Sequence, residues 1–301
     1  MKELVIISGK GGTGKTSMTA AFAALAKNHM LCDTDVDAAD LHLLLNPEIA
    51  QRTDFIGGSK AVIRTDDCSK CGICEDMCTF SAISTDFVVD PLACEGCGVC
   101  HVFCPEDAID FNPRTCGAWF ISETRFGPMV HARLGIAEEN SGKLVSLIRN
   151  QAKELAESQG YELIITDGPP GIGCPVIASI SGATAVLIVV EPTVSGLHDM
   201  QRVADLAAHF KRPSLVCINK YDLNSEMTLT IEEEAKKRKL QVVGRIPFDP
   251  TFTKAMVKAQ TVVEYAPRSE LTNSVACVWQ NICQSEALNH EKADTLLPVF
   301  K

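Results

Sequence analysis

Leu4-Val5-Ile6-Ile7-Ser8, then Gly9-Lys10-Gly11-Gly12-Thr13-Gly14-Lys15-Thr16, then an alanine-rich stretch to Lys27 reads as strand, glycine-rich turn and helix. An unbroken apolar run suits a strand covered on both faces, and the glycines mark where it ends. Gly9 to Thr16 fits G-x-x-x-x-G-K-[ST], a loop whose glycines let backbone N–H groups curl around phosphate oxygens at a helix N-terminus. Lys15 is expected to reach the β and γ phosphates and Thr16 to ligate Mg²⁺. Gly11, Gly12, Thr13, Gly14, Lys15, Thr16 and Ser17 make up the expected nucleotide-binding set.

The same alternation resumes late in the chain. Leu144, Leu147, Ile148, Ala152 and Leu155 recur at helical spacing, followed by strand-like runs at Leu163 to Thr166, Ala185 to Val190 and Leu215 to Ile218. Helical patterns near Leu197 to Phe210 and Ile231 to Lys239 separate these runs. The expected fold is α/β: a parallel sheet with helices on both faces. Neither flank completes such a sheet alone, so residues 60–112 are expected to be a small α+β insertion into one domain formed by residues 1–59 and 113–301.

Composition narrows the function. The chain has 301 residues, 46% apolar and 22% charged, and a net charge of −10, which argues against a phosphate-backbone binder and for no nucleic-acid partner. No apolar stretch approaches the ~18 residues of a membrane span, and no signal-peptide pattern precedes Leu4, so a cytoplasmic protein without membrane insertion is expected. Fourteen cysteines then point to metal or redox chemistry rather than to a disulfide framework. Between Lys60 and Asn112 lie eight of them, with three basic and ten acidic residues.

Those eight form Cys68-x₂-Cys71-x₂-Cys74-x₃-Cys78 and Cys94-x₂-Cys97-x₂-Cys100-x₃-Cys104-Pro105, two copies of the bacterial ferredoxin spacing. In that pattern the fourth cysteine of each run ligates the other cluster. One [4Fe-4S] cluster is therefore assigned to Cys68, Cys71, Cys74 and Cys104, the other to Cys94, Cys97, Cys100 and Cys78. Paired Cys-x₂-Cys also builds zinc sites, but zinc requires neither the third cysteine nor the internal repeat. Thr79 stands where the pattern has proline after Cys78.

The extra lysine in Gly9-Lys10-Gly11-Gly12-Thr13-Gly14-Lys15-Thr16 resembles the deviant Walker A loop of the MinD/Mrp/ParA-type ATPases, a group that includes the nitrogenase iron protein. The resemblance implies a homodimer that sandwiches ATP, with Lys10 reaching the partner subunit's phosphates. It also implies switch residues: Asp33, Asp35 and Asp37 after the second strand, and Asp167 and Gly171 in Asp167-Gly168-Pro169-Pro170-Gly171. Asp33 is favoured for Mg²⁺ and Asp35 for the attacking water, the three alternating carboxylates leaving that division open. Asp167 falls on the Mg²⁺ shell. Asn219 in Asn219-Lys220-Tyr221-Asp222 fits the family's adenine-contacting residue, and Pro247 lies in a segment that resembles the one packing beside adenine. The Asn-Lys-x-Asp run also resembles a guanine-reading motif, but the Walker A form favours ATP.

The whole chain resembles the MinD-type ATPases that carry an inserted ferredoxin domain. This implies an ATPase whose nucleotide-driven dimer switching is coupled to electron transfer or metallocluster maturation with an unidentified partner protein. The alternative is a positioning or scaffold ATPase whose clusters are a redox sensor or cargo. Cys174, seven residues after Asp167, matches the offset of a cluster-ligating cysteine in the nitrogenase iron protein, and Cys116 is a candidate second ligand. Trp119 to Arg133 reads as a strand and loop returning from the insertion, with Arg125, His131 and Arg133 as partner contacts in the competing reading. Cys277 and Cys283 read as small core residues, and His198 and His209 as helix-face residues. The C-terminal stretch shows no basic amphipathic helix of the membrane-anchoring kind.

Overall fold

A computed structural model describes residues 1–135 and 141–289. Its strands are β1 (Lys2–Ser8), β2 (His29–Asp33), β3 (Glu48–Ser59), β4 (Val62–Ile63), β5 (Ile109–Asp110), β6 (Pro113–Thr124), β7 (Gly127–Leu134), β8 (Leu163–Pro170), β9 (Ala185–Val190), β10 (Ser214–Asn219) and β11 (Gln241–Ile246). The helices are α1 (Lys15–Leu25), α2 (Leu41–Leu45), α3 (Ile73–Asp76), α4 (Val99–Val102), α5 (Ser141–Gln159), α6 (Cys174–Ile180), α7 (Val194–His209), α8 (Ser225–Lys237), α9 (Thr251–Val257), α10 (Val262–Tyr265), α11 (Glu270–Gln284) and α12 (Glu286–Asn289). None of these helices is long and apolar enough to cross a membrane. The expectation about a C-terminal anchoring helix falls partly on residues 290–301, outside the described residues.

The main sheet runs β11-β10-β9-β1-β8-β2-β7-β6-β3. Strands from β11 to β7 are mutually parallel, and the apolar runs alternate their side chains between two cores. Leu4 and Ile6 face the core under α1, α2 and α11, whereas Val5 and Ile7 face the one under α6, α7 and α8. Hence the sheet is covered on both faces. The edge departs from the parallel expectation: β6 pairs antiparallel with both β7 and β3. Strand β3 is mostly exposed, a burden an antiparallel edge tolerates because one of its faces can remain wet.

Trp119 to Arg133 lies within the β6–β7 hairpin, so the strand-and-loop reading describes it. Arg133 is exposed, whereas Arg125 and His131 are engaged within the fold. Arg125 donates to the carbonyls of Leu44 and Leu45 at the end of α2, to Ala259 O, and to both carboxylate oxygens of Glu264. His131 is buried, stacked on Phe120 and 2.9 Å from the Ser122 hydroxyl.

The cysteine-rich segment leaves β3 at Ser59 and re-enters β6 at Pro113, and these two residues are register partners. It has its own two-stranded sheet, β4–β5, and its own apolar cluster around Ala61, Cys74, Ile83 and Ile109. Its two halves repeat a backbone as well as a sequence. Left-handed residues recur at Lys70 and Gly96, Gly72 and Gly98, and Ser81 and Asp107, each pair at the same offset from its cysteines. Short helices α3 and α4 follow the second pair.

Candidate functional site

The carboxyl ends of β1, β2 and β8 bring the phosphate loop and the switch carboxylates together, as expected for a crevice at the ends of parallel strands. Register pairs Ile6 with Asp167 and Asp33 with Asp167. Gly14 stands at the N-cap of helix α1, which has no side-chain cap and no acidic residue in its first turn. Its first N–H groups therefore remain for an anion. A β-carbon at Gly11 or Gly12 would meet nothing within 4 Å, leaving an open cradle. At Gly14, with φ +85°, a β-carbon would stand 2.5 Å from the Asn219 amide nitrogen.

Lys15 lies 3.1 Å from Asp35 Oδ2 and 3.3 Å from Asp167 Oδ1. Burial would depress the Lys15 pKa, but Asp167 and Asp35 outweigh it and hold the ammonium above its ordinary range. Asp167 also accepts hydrogen bonds from Thr16 at 2.7 Å and Thr19 at 3.0 Å. Burial and the neighbouring Asp167 push the Asp33 carboxyl well up, and burial raises Asp35 against the pull of Lys15. Asp33 Oδ1 accepts the Asp35 N–H, whereas Asp33 Oδ2 is buried without a partner. A buried, orphaned carboxylate oxygen beside Asp167 fits a cation, and the cradle fits phosphates; the donor set is that of Mg²⁺-nucleotide. Asp37 is exposed and gives α2 no cap, since Asp40 occupies that position.

The remaining loop contacts come from strands further along the sheet. Lys10 Nζ lies 3.5 Å from Glu191 Oε2 and 3.4 Å from the Ser195 hydroxyl. Glu191 also pairs with Lys220, which donates to Gly12 O. Asn219 donates its amide to Thr13 O at 2.7 Å and accepts the Lys220 N–H. Its side chain thus braces the phosphate loop from beneath. Beside it, Asp222 accepts the N–H of Phe248, the exposed residue after Pro247. Sequence reading missed Thr19, Glu191 and Ser195, none of which lies in a motif of fixed spacing.

In the cysteine-rich segment, Cys68, Cys71, Cys74 and Cys104 line one cavity with Ile63, Phe87 and Ile109. The fourth of these comes from the second run. Cys78, Cys94 and Cys100 pack on the same apolar cluster, and the Cys100 thiol is raised by burial and by Cys94 and Cys97 beside it. Backbone N–H groups aim at sulfur in a repeated way: Ala82 to Cys78 and Ala108 to Cys104, both at 3.3 Å, and Lys70 to Cys68 at 3.4 Å. Such donors favour thiolate over thiol. Among the described residues no group of three or more His, Cys, Asp or Glu is gathered around one metal ion. A cubane holds its four thiolates at separate corners, further apart than ligands of a single ion. The shared cavity of Cys68, Cys71, Cys74 and Cys104 and the N–H groups aimed at Cys68, Cys78 and Cys104 are the observations that bear on such a donor set.

The other cysteines separate. Cys174 is exposed at the start of α6, whereas Cys116 is buried in β6 with its thiol donating to Gly57 O at 2.6 Å. Cys277 and Cys283 are exposed, which corrects their reading as core residues. Helix α11 buries Leu271, Val275, Val278, Trp279 and Ile282, a stripe that both cysteines miss. His198 and His209 are exposed on α7.

The CobQ/CobB/MinD/ParA nucleotide binding domain matches residues 4–262. An uncharacterised protein from Methanocaldococcus jannaschii, MJ0578, is 37% identical over 227 residues, 74% of this chain and 79% of its own length. The septum site-determining protein MinD of Bacillus subtilis is 23% identical over 264 residues, 84% of this chain and 78% of its own. Among solved structures, MinD from Pyrococcus horikoshii complexed with Mg-ADP superposes with a TM-score of 0.59 at 17% identity, covering 94% of this chain and 96% of that one. The MinC:MinD complex from Aquifex aeolicus gives 0.57 at 21% identity, covering 95% and 97%. At these identities the structural likeness speaks to the fold.

Proposed function

The chain belongs to the CobQ/CobB/MinD/ParA nucleotide-binding family and is an ATPase of the MinD/ParA type, and on that premise we propose that it couples ATP-driven dimer switching to electron transfer through two [4Fe-4S] clusters. In this reading Lys15 binds the β and γ phosphates with the N–H groups of Gly11 to Ser17. Thr16 and Asp33 hold Mg²⁺, which supplies charge neutralisation at the transferred phosphoryl group. Asp35 orients the attacking water, and Asp167 fixes Thr16 and the metal shell. Phosphate competes with Asp35 and Asp167 for Lys15, so nucleotide binding itself releases the two switch carboxylates. Lys10 leaves Glu191 to reach the second subunit of a homodimer, and Asn219 and Pro247 border the adenine.

The observation that carries the redox half is the duplicated cysteine backbone, with N–H groups aimed at sulfur and a cavity that draws Cys104 to Cys68, Cys71 and Cys74. Residues 60–112 then form an inserted ferredoxin-like domain, its two strand junctions side by side at Ser59 and Pro113. Electrons pass to or from a separate protein, either a redox partner or a metallocluster under maturation. Anaerobically isolated protein is expected to hold about eight irons and eight acid-labile sulfides per chain, by the ligand count. Zinc alone, with no paramagnetic signal on reduction, would overturn this. The MinD relative favours a second reading, a positioning ATPase whose clusters are sensor or cargo. In that case nucleotide would leave electron transfer unchanged.

A further inference from the structure

Phe87 adopts φ +59°, a left-handed conformation that disfavours bulky side chains. It closes a hairpin turn: the Phe87 N–H donates to Ser84 O at 2.8 Å, the Val88 N–H donates to the Ser84 hydroxyl, and Ile83 and Val89 bridge the two arms. Three-residue hairpin loops of this kind usually place glycine at the left-handed position. A residue kept there against backbone preference points to what its side chain does.

The side chain stands between two concavities. On one side is the cavity lined by Cys68, Cys71, Cys74 and Cys104. On the other is an open groove of about 570 Å³, lined by Val62, Val88 and Pro91 among others. Phe87 and Ile63 belong to both walls, so a single layer of side chains divides the groove from the cysteines. None of Cys78, Cys94, Cys97 and Cys100 lines either concavity. Their run instead approaches the main sheet, where a β-carbon at Gly96 would fall 2.3 Å from Ser59 O.

We propose that Phe87 is a positioning residue whose ring controls access from this groove to the Cys68, Cys71, Cys74 and Cys104 site, leaving the other four cysteines unaffected. This role rests on the reading of the two cysteine sets as cluster ligands. Glycine at position 87 suits the turn and removes the wall, so one substitution separates backbone fit from shielding.

The test follows iron release from the full-length, anaerobically isolated protein to a soluble ferrous chelator, with iodoacetamide trapping each freed cysteine for peptide mass spectrometry. In Phe87→Gly, half of the iron is expected to leave at least tenfold faster than in wild type. Cys68, Cys71, Cys74 and Cys104 should label first, with the other four within twofold of wild type and the melting temperature within a few degrees. Phe87→Tyr should restore the slow rate. Equal acceleration of both halves, or no acceleration, overturns the proposal. If the protein holds zinc instead of iron, the cluster reading falls separately, and the labelling order of the two cysteine sets still tests Phe87.

Discussion

Lys10 Nζ lies 3.5 Å from Glu191 Oε2 of its own subunit, while Lys15 is enclosed by Asp35 and Asp167. The two loop lysines are therefore expected to have different tasks. Lys15→Ala is expected to abolish ATP binding, and Lys10→Ala to leave binding within a fewfold of wild type while lowering dimer-dependent turnover at least tenfold. Isothermal titration beside steady-state hydrolysis measures both. Equal loss of binding in the two variants would contradict the division.

The glycines of the loop should separate in the same way. At Gly14 an alanine meets both a left-handed backbone and the Asn219 amide, so Gly14→Ala should lower the melting temperature as well as nucleotide affinity. Gly11→Ala points into open space, and its melting temperature should stay near wild type while ATP affinity falls. A thermal melt of each variant with and without ATP reads the contrast.

Asp33 is a buried carboxylate with one unpartnered oxygen and a like charge beside it. Replacing it by the neutral Asn should stabilise the protein without nucleotide by about 1–2 kcal/mol, a few degrees in melting temperature, and abolish Mg²⁺-dependent hydrolysis. A lower melting temperature in Asp33→Asn would contradict the reading of Asp33 as a cation ligand held at a cost to the fold.

Burial drives the pKa of His29 and of His131 down to about 4 from 6.5. The folded chain favours neutral imidazole, so this stability is complete above about pH 6.5 and is lost as pH falls toward 4. Each histidine contributes up to about 3 kcal/mol across that window. Denaturant melts between pH 7 and 4 should show the slope. His29→Phe, which removes the unpartnered Nε2, should reduce it by about half.

How far this was legible in the sequence depended on what each segment must bury. Leu4 to Ser8, Ala185 to Val190 and Leu215 to Ile218 are buried on both faces and so read as strands from their unbroken apolar runs. The cysteine runs were legible because their spacing is a fixed repeat, the one that cluster ligation would require. Strand β3 was not: it is an exposed edge whose residues carry almost no alternation. The inward role of Arg125 was equally hidden, since its partners are carbonyls and Glu264, contacts that only the folded chain assembles. Asn219 was found by its motif, but its brace on Thr13 required the strand order.

The proposed coupling of the two halves is tested most directly by reducing the two proposed clusters and following their reoxidation by a soluble acceptor protein with ATP, with ADP and with neither. The account predicts a rate at least severalfold different with ATP in wild type, and no nucleotide effect in Lys10→Ala. The same rate in all three conditions for wild-type protein, with ATP demonstrably bound and hydrolysed, would contradict it.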